Sequence, residues 1–208
     1  MGPTEVTIRK GQDWGEPGPL PEHGVLVHSD AEAWEVVTSA RRANQDPPPL
    51  GLLGGDLCRT LGGRGDEARL RSPRAMTLPC DLGAVLLDGR LHWFVASLVA
   101  RRSWWRGRAW LAMNAAWLGT WNVAPRAHPN DGLLDTFDAA VPAGQRLAVR
   151  RRLPLGAHLP HPAIKERRTR AAQTHLDRPL PVWLDGTCVG EASDISVRTE
   201  PDALTVVV

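Results

Sequence analysis

The sequence has 208 residues, of which 42% are hydrophobic and 23% charged, and its formal net charge is +2. This balance is typical of a globular protein, excludes a disordered chain or a coiled coil, and argues against general binding to polyanions. The 20 Gly and 18 Pro residues indicate many turns and few long helices. Three widely separated Cys residues form neither a disulfide framework nor a zinc-site pattern.

Residues 1–80 alternate short apolar runs with amphipathic segments, which predicts an α/β unit. Ser29 or Asp30 can cap a helix that carries Glu32 in its first turn and extends to Ala43. The other predicted elements are a strand at Thr4–Arg9, a loop at Gly11–Gly24, strands at Val25–Val27 and Leu50–Leu53, and a short helix at Asp56–Leu61. Together they predict an abbreviated α/β lobe.

Residues 81–208 show short β-like runs separated by turn signals such as Asp88–Gly89, Asp131–Gly132 and Asp185–Gly186. The predicted strands are Ala84–Leu87, Leu91–Val99, Arg108–Ala115, Arg146–Arg150, Thr174–Leu176, Val182–Leu184, Ile195–Arg198 and Leu204–Val208. Because no convincing helix interrupts them, these runs predict a β-sandwich lobe. We therefore expect an α+β protein with a boundary near residue 80.

The most informative segment is Val123–Asp135, with the sequence VAPRAHPNDGLLD. It closely resembles the aP-x-A-x-p-x-DG-x-LD signature in the β-lobe of diacylglycerol kinases and related bacterial lipid kinases. Further segments resemble that family in the same order: Pro49–Gly62, Cys80–Gly83, His158–Pro162 and Val182–Gly186. The resemblance implies the NAD kinase/diacylglycerol kinase fold, with an abbreviated α/β lobe at residues 1–80 and a β-sandwich lobe at residues 81–208.

The resemblance also implies a chemistry, since the cleft of these kinases transfers the γ-phosphoryl group of ATP to a lipid hydroxyl with the help of Mg²⁺. Asp185 matches the general base of the family, although a plain hairpin turn is an equal alternative for Asp185–Gly186. Asp131 is a candidate cation ligand, with loop architecture as the alternative. The positions that match the nucleotide loops are Asp30, Gly54, Gly55 and Asp56.

The nucleotide loops depart from the family pattern. The GGDGT loop is here His28-Ser29-Asp30-Ala31-Glu32, so every glycine is replaced and Glu32 adds a negative charge. Each added Cβ obstructs the approach of phosphates to backbone N–H groups. The GTgND loop is shortened to Gly54-Gly55-Asp56, and DGE becomes Asp185-Gly186-Thr187. These losses predict a degenerate kinase that requires ATP and Mg²⁺ only if activity survives.

Residues 101–110 contain four Arg and three Trp. Interleaved basic and aromatic side chains suit an anionic membrane interface or single-stranded nucleic acid, and a buried strand–loop–strand explains them equally well. The lipid-kinase resemblance favours a lipid or anionic membrane partner over nucleic acid. The candidate membrane residues are Arg101, Arg102, Trp104, Trp105 and Arg106.

Other sequence features limit the possible cellular location and the possible binding partners. His158 and His161 have ligand-like spacing, but no Cys or carboxylate follows at metal spacing, so we interpret them as loop histidines. The N-terminus lacks a signal-peptide pattern, and the apolar run Ala109–Trp121 is too short to span a bilayer. We expect a cytoplasmic protein, peripheral at the inner membrane face, and the resemblance allows a homodimer.

Three functions remain open at this point. The favoured one is a non-catalytic, lipid-binding or regulatory pseudokinase. The first alternative is an active ATP-dependent kinase of the diacylglycerol type with a rebuilt nucleotide grip. The second alternative is nucleic-acid binding through residues 101–110.

Overall fold

The computed structural model describes residues 14–208, so the strand predicted at Thr4–Arg9 lies outside the described residues. The N-terminal elements are β1 (Glu16–Pro17), β2 (Val25–Val27), α1 (Asp30–Arg42), β3 (Leu50–Leu52), α2 (Gly55–Thr60) and α3 (Glu67–Leu70). Ser29 caps α1 by accepting the backbone N–H of Glu32 at 3.2 Å, as the sequence predicts. Strands β2 and β3 pair in parallel, so the predicted alternation of strands and helices is confirmed.

The following elements are β4 (Met76–Leu87), β5 (Arg90–Phe94), β6 (Ser97–Arg101), β7 (Ala109–Met113), β8 (Trp117–Leu118), β9 (Trp121–Asn122), β10 (Leu134–Ala139), α4 (Ala143–Arg152), β11 (Ile164–Thr169), β12 (Ala171–Leu184) and β13 (Thr187–Val207). A short 3-10 turn, Leu153–Leu155, follows α4. None of the helices within residues 14–208 is long and apolar enough to cross a membrane.

Within residues 14–208, eleven strands form one sheet in the order β1-β4-β13-β12-β6-β7-β10-β11, with β5 beside β4 and the β2–β3 pair beside β13. Strand β13 pairs antiparallel with β4 and β12 and parallel with β3 through Val206 and Val207. The small β8–β9 hairpin stands apart from this sheet. The α+β class predicted from the sequence is therefore confirmed.

Separate hydrophobic clusters pack on different parts of the sheet. One joins α1, α2 and the parallel strands through residues such as Val37, Leu50 and Leu57. Another consists of strand residues that are far apart in sequence, such as Phe94 of β5 and Ile195 of β13. Burial of these side chains provides the main driving force for folding and fixes the loops between the strands.

Six of the predicted strands differ from the structure. Residues 146–150 form part of helix α4 rather than a strand. This helix lies on the surface and buries none of its residues, so no buried face marked its period in the sequence. Leu91–Val99 divides into β5 and β6. The four short strands predicted after residue 173 are segments of two long ones, β12 and β13, whose register shifts at bulges.

Strand β4 passes through the position where the sequence predicts a boundary between lobes. Its pairing with β13 extends from Thr77 to Leu87 and is interrupted only by a register shift between Glu200 and Leu204 of β13. The division at residue 80 stays a prediction, and residues on both sides of it share one sheet.

Candidate functional site

Asp30 is the first residue of α1, and its side chain contacts the N-terminal end of α2, just beyond the ends of β2 and β3. Its carboxylate accepts the backbone N–H groups of Asp56 and Leu57 at 2.5 and 3.1 Å. Gly55 has φ +96°, and a Cβ at this position would lie 2.6 Å from the Asp30 carboxylate. Asp30, Gly54, Gly55 and Asp56, predicted as nucleotide-loop residues, therefore come together, with Asp30 packed directly on the first turn of α2.

The neighbouring acidic side chains are also engaged within the chain. The Glu32 carboxylate accepts the His28 backbone N–H at 2.8 Å, which closes the loop before α1 on itself. The Asp56 carboxylate accepts the backbone N–H of Gly119 at 2.9 Å. Arg59 supports this contact by donating to the Gly119 carbonyl at 2.9 Å. Asp56 thus attaches α2 to the β8–β9 hairpin.

Asp185 occupies the turn between β12 and β13. With φ +51° at Asp185 and +86° at Gly186, the two residues form the tight hairpin turn expected for an Asp-Gly pair. The Asp185 side chain accepts three consecutive backbone N–H groups, those of Val95, Ala96 and Ser97, at 2.7, 2.8 and 2.9 Å. Only 5% of Asp185 is exposed, so its carboxylate connects the hairpin to the β5–β6 junction.

Burial governs the protonation of both carboxyl groups. Burial and the nearby negative charge of Asp30 raise the pKa of Asp185 to about 8, against the effect of its three backbone hydrogen bonds. Burial also raises the pKa of Asp30 to about 6, with a smaller contribution from Asp56. The two residues therefore influence each other electrostatically, and each favours its neutral form more than an exposed carboxyl does.

Asp131 lies in a second acidic region, on the loop before β10. Its carboxylate forms an ion pair with Arg168 of β11, which also lies 3.5 Å from Asp135. Asp81 completes the region by accepting the backbone N–H of Gly132 at 2.7 Å. Among residues 14–208, no group of three or more His, Cys, Asp or Glu is arranged to hold a metal ion. The role of Asp131 as a cation ligand stays a prediction, and Arg168 supplies a positive charge there.

The candidate membrane residues divide into an inner and an outer set. Arg101 stacks on Trp104 and Trp183, with its guanidinium carbon 4.3 and 4.6 Å from the ring centroids, and these residues line an open cleft beside the Asp185 turn. Trp104 also packs edge-on against Trp121 at 5.0 Å. Trp105, in contrast, is 55% exposed.

The remaining two candidates lie on the surface. Arg106 is exposed, and Arg102 pairs at 3.1 Å with Glu191. The five residues predicted as one membrane surface therefore do not share one environment.

Helix α4 contacts the same loop, although the sequence predicted a strand there. Arg146 donates to the carbonyls of Trp104 and Gly107 at 3.2 and 2.5 Å, and Arg150 stacks over Trp105 at 4.5 Å. Leu147 is 50% and Leu155 81% exposed. The run of basic residues in 150–152 was the available sequence signal for this surface.

The sequence model of the YegS C-terminal NAD kinase beta sandwich-like domain matches residues 85–208. This match spans more than half of the chain and contains the VAPRAHPNDGLLD segment as well as the Asp185 hairpin. The chain belongs to this lipid kinase-like family.

Solved structures agree with the assignment at the level of the fold. A structure from Bacillus anthracis strain Sterne described as "a putative diacylglycerol kinase" has a TM-score of 0.69 at 13% identity, covering 88% of this chain and 77% of that one. A second from the same organism, described as a diacylglycerol kinase, has a TM-score of 0.64 at 13% identity, covering 88% of this chain and 75% of that one. No curated protein sequence matches this chain.

The structure shows residues near the candidate sites to which the sequence analysis gave no role. Arg168 and α4 lie outside the family motifs quoted above, and Asp81 lies within the Cys80–Gly83 segment but was given no role. The partners of all three lie far away in sequence. The contact of Asp185 with Val95 joins residues 90 positions apart. Only the fold reveals these pairings.

Proposed function

We propose that this family member is a lipid kinase-like protein without ATP-dependent catalysis, which acts by binding to anionic lipid surfaces. The observation that carries the proposal is the position of Asp30. Its carboxylate already accepts two backbone N–H groups of the first turn of α2, at the end of the shortened second nucleotide loop.

These residues do not fit the polyphosphate of ATP. A phosphate placed at the start of α2 would meet the negative charge of Asp30 and would have to displace it from two N–H donors. Glu32 adds a second negative charge on the adjacent turn. Since each hydrogen bond to a charged group contributes about 1.5–3 kcal/mol, losing two or three of them weakens binding by about 10²-fold or more.

A basic surface with apolar tips supports the lipid part of the proposal. We define the basic face as the loop 101–108 together with α4 and its 3-10 turn. Its exposed side chains include Arg102, Trp105, Arg106, Leu147, Arg151, Arg152 and Leu155. No acidic residue occurs between Asp88 and Asp131 or between Asp138 and Glu166. Arg side chains near an anionic bilayer contribute about 1 kcal/mol each, and Trp settles at the headgroup level.

Two measurements test the proposal. Calorimetric titration with ATP·Mg²⁺ should give no saturable binding at micromolar concentrations. Co-sedimentation with vesicles of phosphatidylcholine and phosphatidylglycerol should increase with the phosphatidylglycerol content and decrease with salt. A low-micromolar dissociation constant for ATP·Mg²⁺ contradicts the loss of nucleotide binding. Binding to oligonucleotides but not to vesicles contradicts the lipid surface and favours nucleic acid.

An active lipid kinase is the second candidate, because the negative charge of Asp30 contributes to the raised pKa of Asp185, so the two carboxyl groups lie near each other. In that case Asp185 would accept the proton of the lipid hydroxyl, and Asp185→Asn would lower phosphorylation by about 10²-fold or more. Phosphorylation of diacylglycerol by the parent but not by Asp185→Asn would establish this candidate. Equal activity of the two proteins would remove Asp185 from the catalytic role.

A further inference from the structure

An open cleft lies on one face of strand β6. Successive residues of a strand point to opposite faces, and Leu98 and Ala100 of β6 belong to a buried hydrophobic cluster. Ser97, Val99 and Arg101 therefore share the other face, and all three line the cleft. The cleft has a volume of about 420 Å³, which is enough for a small ring compound.

Three Trp side chains contribute to the walls of this cleft. Trp183 of β12 is the direct cross-strand partner of Val99, so its ring lies on the same face of the sheet. Trp104 comes from the loop after β6 and Trp121 from the β8–β9 hairpin, and their rings meet edge to face at 5.0 Å. Such walls favour a ligand with a flat apolar ring, because aromatic rings pack well against one another and leave water.

Arg101 supplies a positive charge in the same cleft. Its guanidinium carbon lies 4.3 Å from the ring centroid of Trp104 and 4.6 Å from that of Trp183. These rings stabilise the cation through their faces, but they do not take the place of oxygen acceptors for its N–H groups. Within residues 14–208, no carboxylate or other hydrogen-bond acceptor engages the Arg101 side chain. Arg101 therefore retains terminal N–H donors for an oxyanion that comes from outside the chain.

Ser97 places a hydroxyl group at the other end of the cleft. The residue is only 2% exposed, and its hydroxyl forms no hydrogen bond with the described part of the chain. Because buried polar groups are nearly always hydrogen-bonded, this hydroxyl indicates a place for a polar atom of a ligand. Ser97 and Arg101 are about 13 Å apart along β6, at a rise of about 3.3 Å per residue. Since the Arg101 guanidinium lies over Trp183, which is level with Val99, the charge is closer to Ser97 than this backbone spacing.

We propose that this cleft binds a small, water-soluble aromatic oxyanion. The ring packs against the Trp side chains, the carboxylate or phosphate binds Arg101, and a hydrogen-bonding substituent on the far side of the ring binds the Ser97 hydroxyl. The site goes beyond the proposed binding to lipid surfaces. Its ligand is a monomer in water, and it occupies a cleft beside the Asp185 turn rather than the exposed side chains of the basic face.

Calorimetric titration with simple probes tests the proposal. Benzoate or phenyl phosphate should bind one-to-one with a dissociation constant of about 1 mM or below, and the tighter of the two identifies the preferred oxyanion. Inorganic phosphate lacks the ring and benzyl alcohol lacks the charge, so each should bind about tenfold more weakly or worse. The para-hydroxy derivative of the preferred anion should bind about threefold tighter or better, because its hydroxyl group reaches Ser97.

Matched variants locate the site. Arg101→Gln should weaken binding of the preferred anion by about tenfold or more, whereas Arg178→Gln removes an exposed charge of β12 outside the cleft and should leave it unchanged. Ser97→Ala should abolish the advantage of the para-hydroxy derivative and leave the affinity for the unsubstituted anion unchanged. Because the Ser97 hydroxyl forms no hydrogen bond within the described chain, Ser97→Ala decides the test if Arg101→Gln perturbs the near-UV circular dichroism.

Several results would overturn the inference. They are the absence of binding for both benzoate and phenyl phosphate, equal affinity for inorganic phosphate or benzyl alcohol, unchanged affinity in folded Arg101→Gln, and a para-hydroxy advantage that persists in Ser97→Ala. The outcome is separate from that of the proposed function. Co-sedimentation of Ser97→Ala with phosphatidylglycerol vesicles should equal that of the parent, and a loss would place a lipid headgroup, not a soluble ligand, in the cleft.

Discussion

The Asp30 carboxylate accepts the backbone N–H of Asp56 at 2.5 Å. The acceptor follows β2 and the donor follows β3, so this bond joins the ends of two parallel strands. The same carboxylate also accepts the N–H of Leu57. A side chain of the protein thereby satisfies donors that a helix start otherwise offers to an anion.

The first prediction concerns this contact. Asp30→Ala leaves the N–H groups of Asp56 and Leu57 without their partner in a half-buried site, and should lower the free energy of unfolding by about 1–3 kcal/mol. Urea denaturation at pH 7 measures the loss. Asp66→Ala is the control, because Asp66 accepts one N–H at 3.3 Å on the exposed start of α3. Equal losses in the two variants would show that Asp30 is only an ordinary cap.

The second prediction uses the pH dependence of stability. The pKa of Asp185 is raised from 3.8 to about 8 in the folded protein, so the folded state binds a proton that the unfolded state has released between these values. Its contribution to stability is therefore fully present below pH 4 and is lost as the pH rises through 8. The stability difference between the parent and Asp185→Asn should shrink with increasing pH, by at most about 1.4 kcal/mol per pH unit.

Thermal and urea unfolding of both proteins from pH 5 to about 8 tests whether this stability difference shrinks as the pH rises. The other carboxyl and His groups titrate alike in both proteins, so their effect cancels when the two free energies of unfolding are subtracted. Only the coupling of Asp185 to Asp30 does not cancel. Parallel stability profiles for the parent and Asp185→Asn would contradict a raised pKa at Asp185.

The third prediction concerns Arg168. Arg168→Gln removes the positive charge beside Asp131 and the buried Asp135, and should lower stability by about 1–3 kcal/mol. Millimolar Mg²⁺ should recover part of the loss in melting temperature, because a cation can then replace the guanidinium, and should leave the parent unchanged. Arg126→Gln breaks an exposed pair with Glu166 and should change stability much less than Arg168→Gln does. A large Mg²⁺ effect on the parent would instead support Asp131 as a metal ligand.

The fourth prediction separates two adjacent Trp residues. Trp104→Ala removes the ring that packs on Trp121 and should destabilise the protein by about 3 kcal/mol. Trp105→Ala should change stability by less than about 1 kcal/mol and should reduce binding to phosphatidylglycerol vesicles severalfold. Unfolding curves and co-sedimentation are measured on both variants. If Trp105→Ala binds vesicles like the parent, the basic face does not contact the bilayer through its loop.

The sequence predicted elements best where local signals and burial agree. Helix α1 has a capping Ser29 and places Ala33 and Val37 in the core, so its pattern was readable from the residues alone. Helix α4 has neither advantage, since Pro142 caps it without a side-chain hydrogen bond and none of its residues is buried. Strand β13 appeared as two strands because its register shifts between Glu200 and Leu204.

The sequence named candidate residues but not the contacts that their side chains form. Family motifs identified Asp30, Asp131 and Asp185, because such motifs preserve residue types at fixed spacing. The structure places these side chains against partners that no local pattern specifies: the start of α2, Arg168 and the β5–β6 junction. The opposite environments of Trp104 and Trp105 depend on the path of an irregular loop, which periodicity does not describe.

The central position of β13 has a consequence for synthesis of the chain. This strand is translated after β3, β4 and β12, all of which it pairs with. Until it emerges from the ribosome, the parallel pair β2–β3 and the long β4 expose unpaired edges, which favour aggregation. The sheet can therefore close only after translation of β13, and the nascent protein depends on remaining soluble until then.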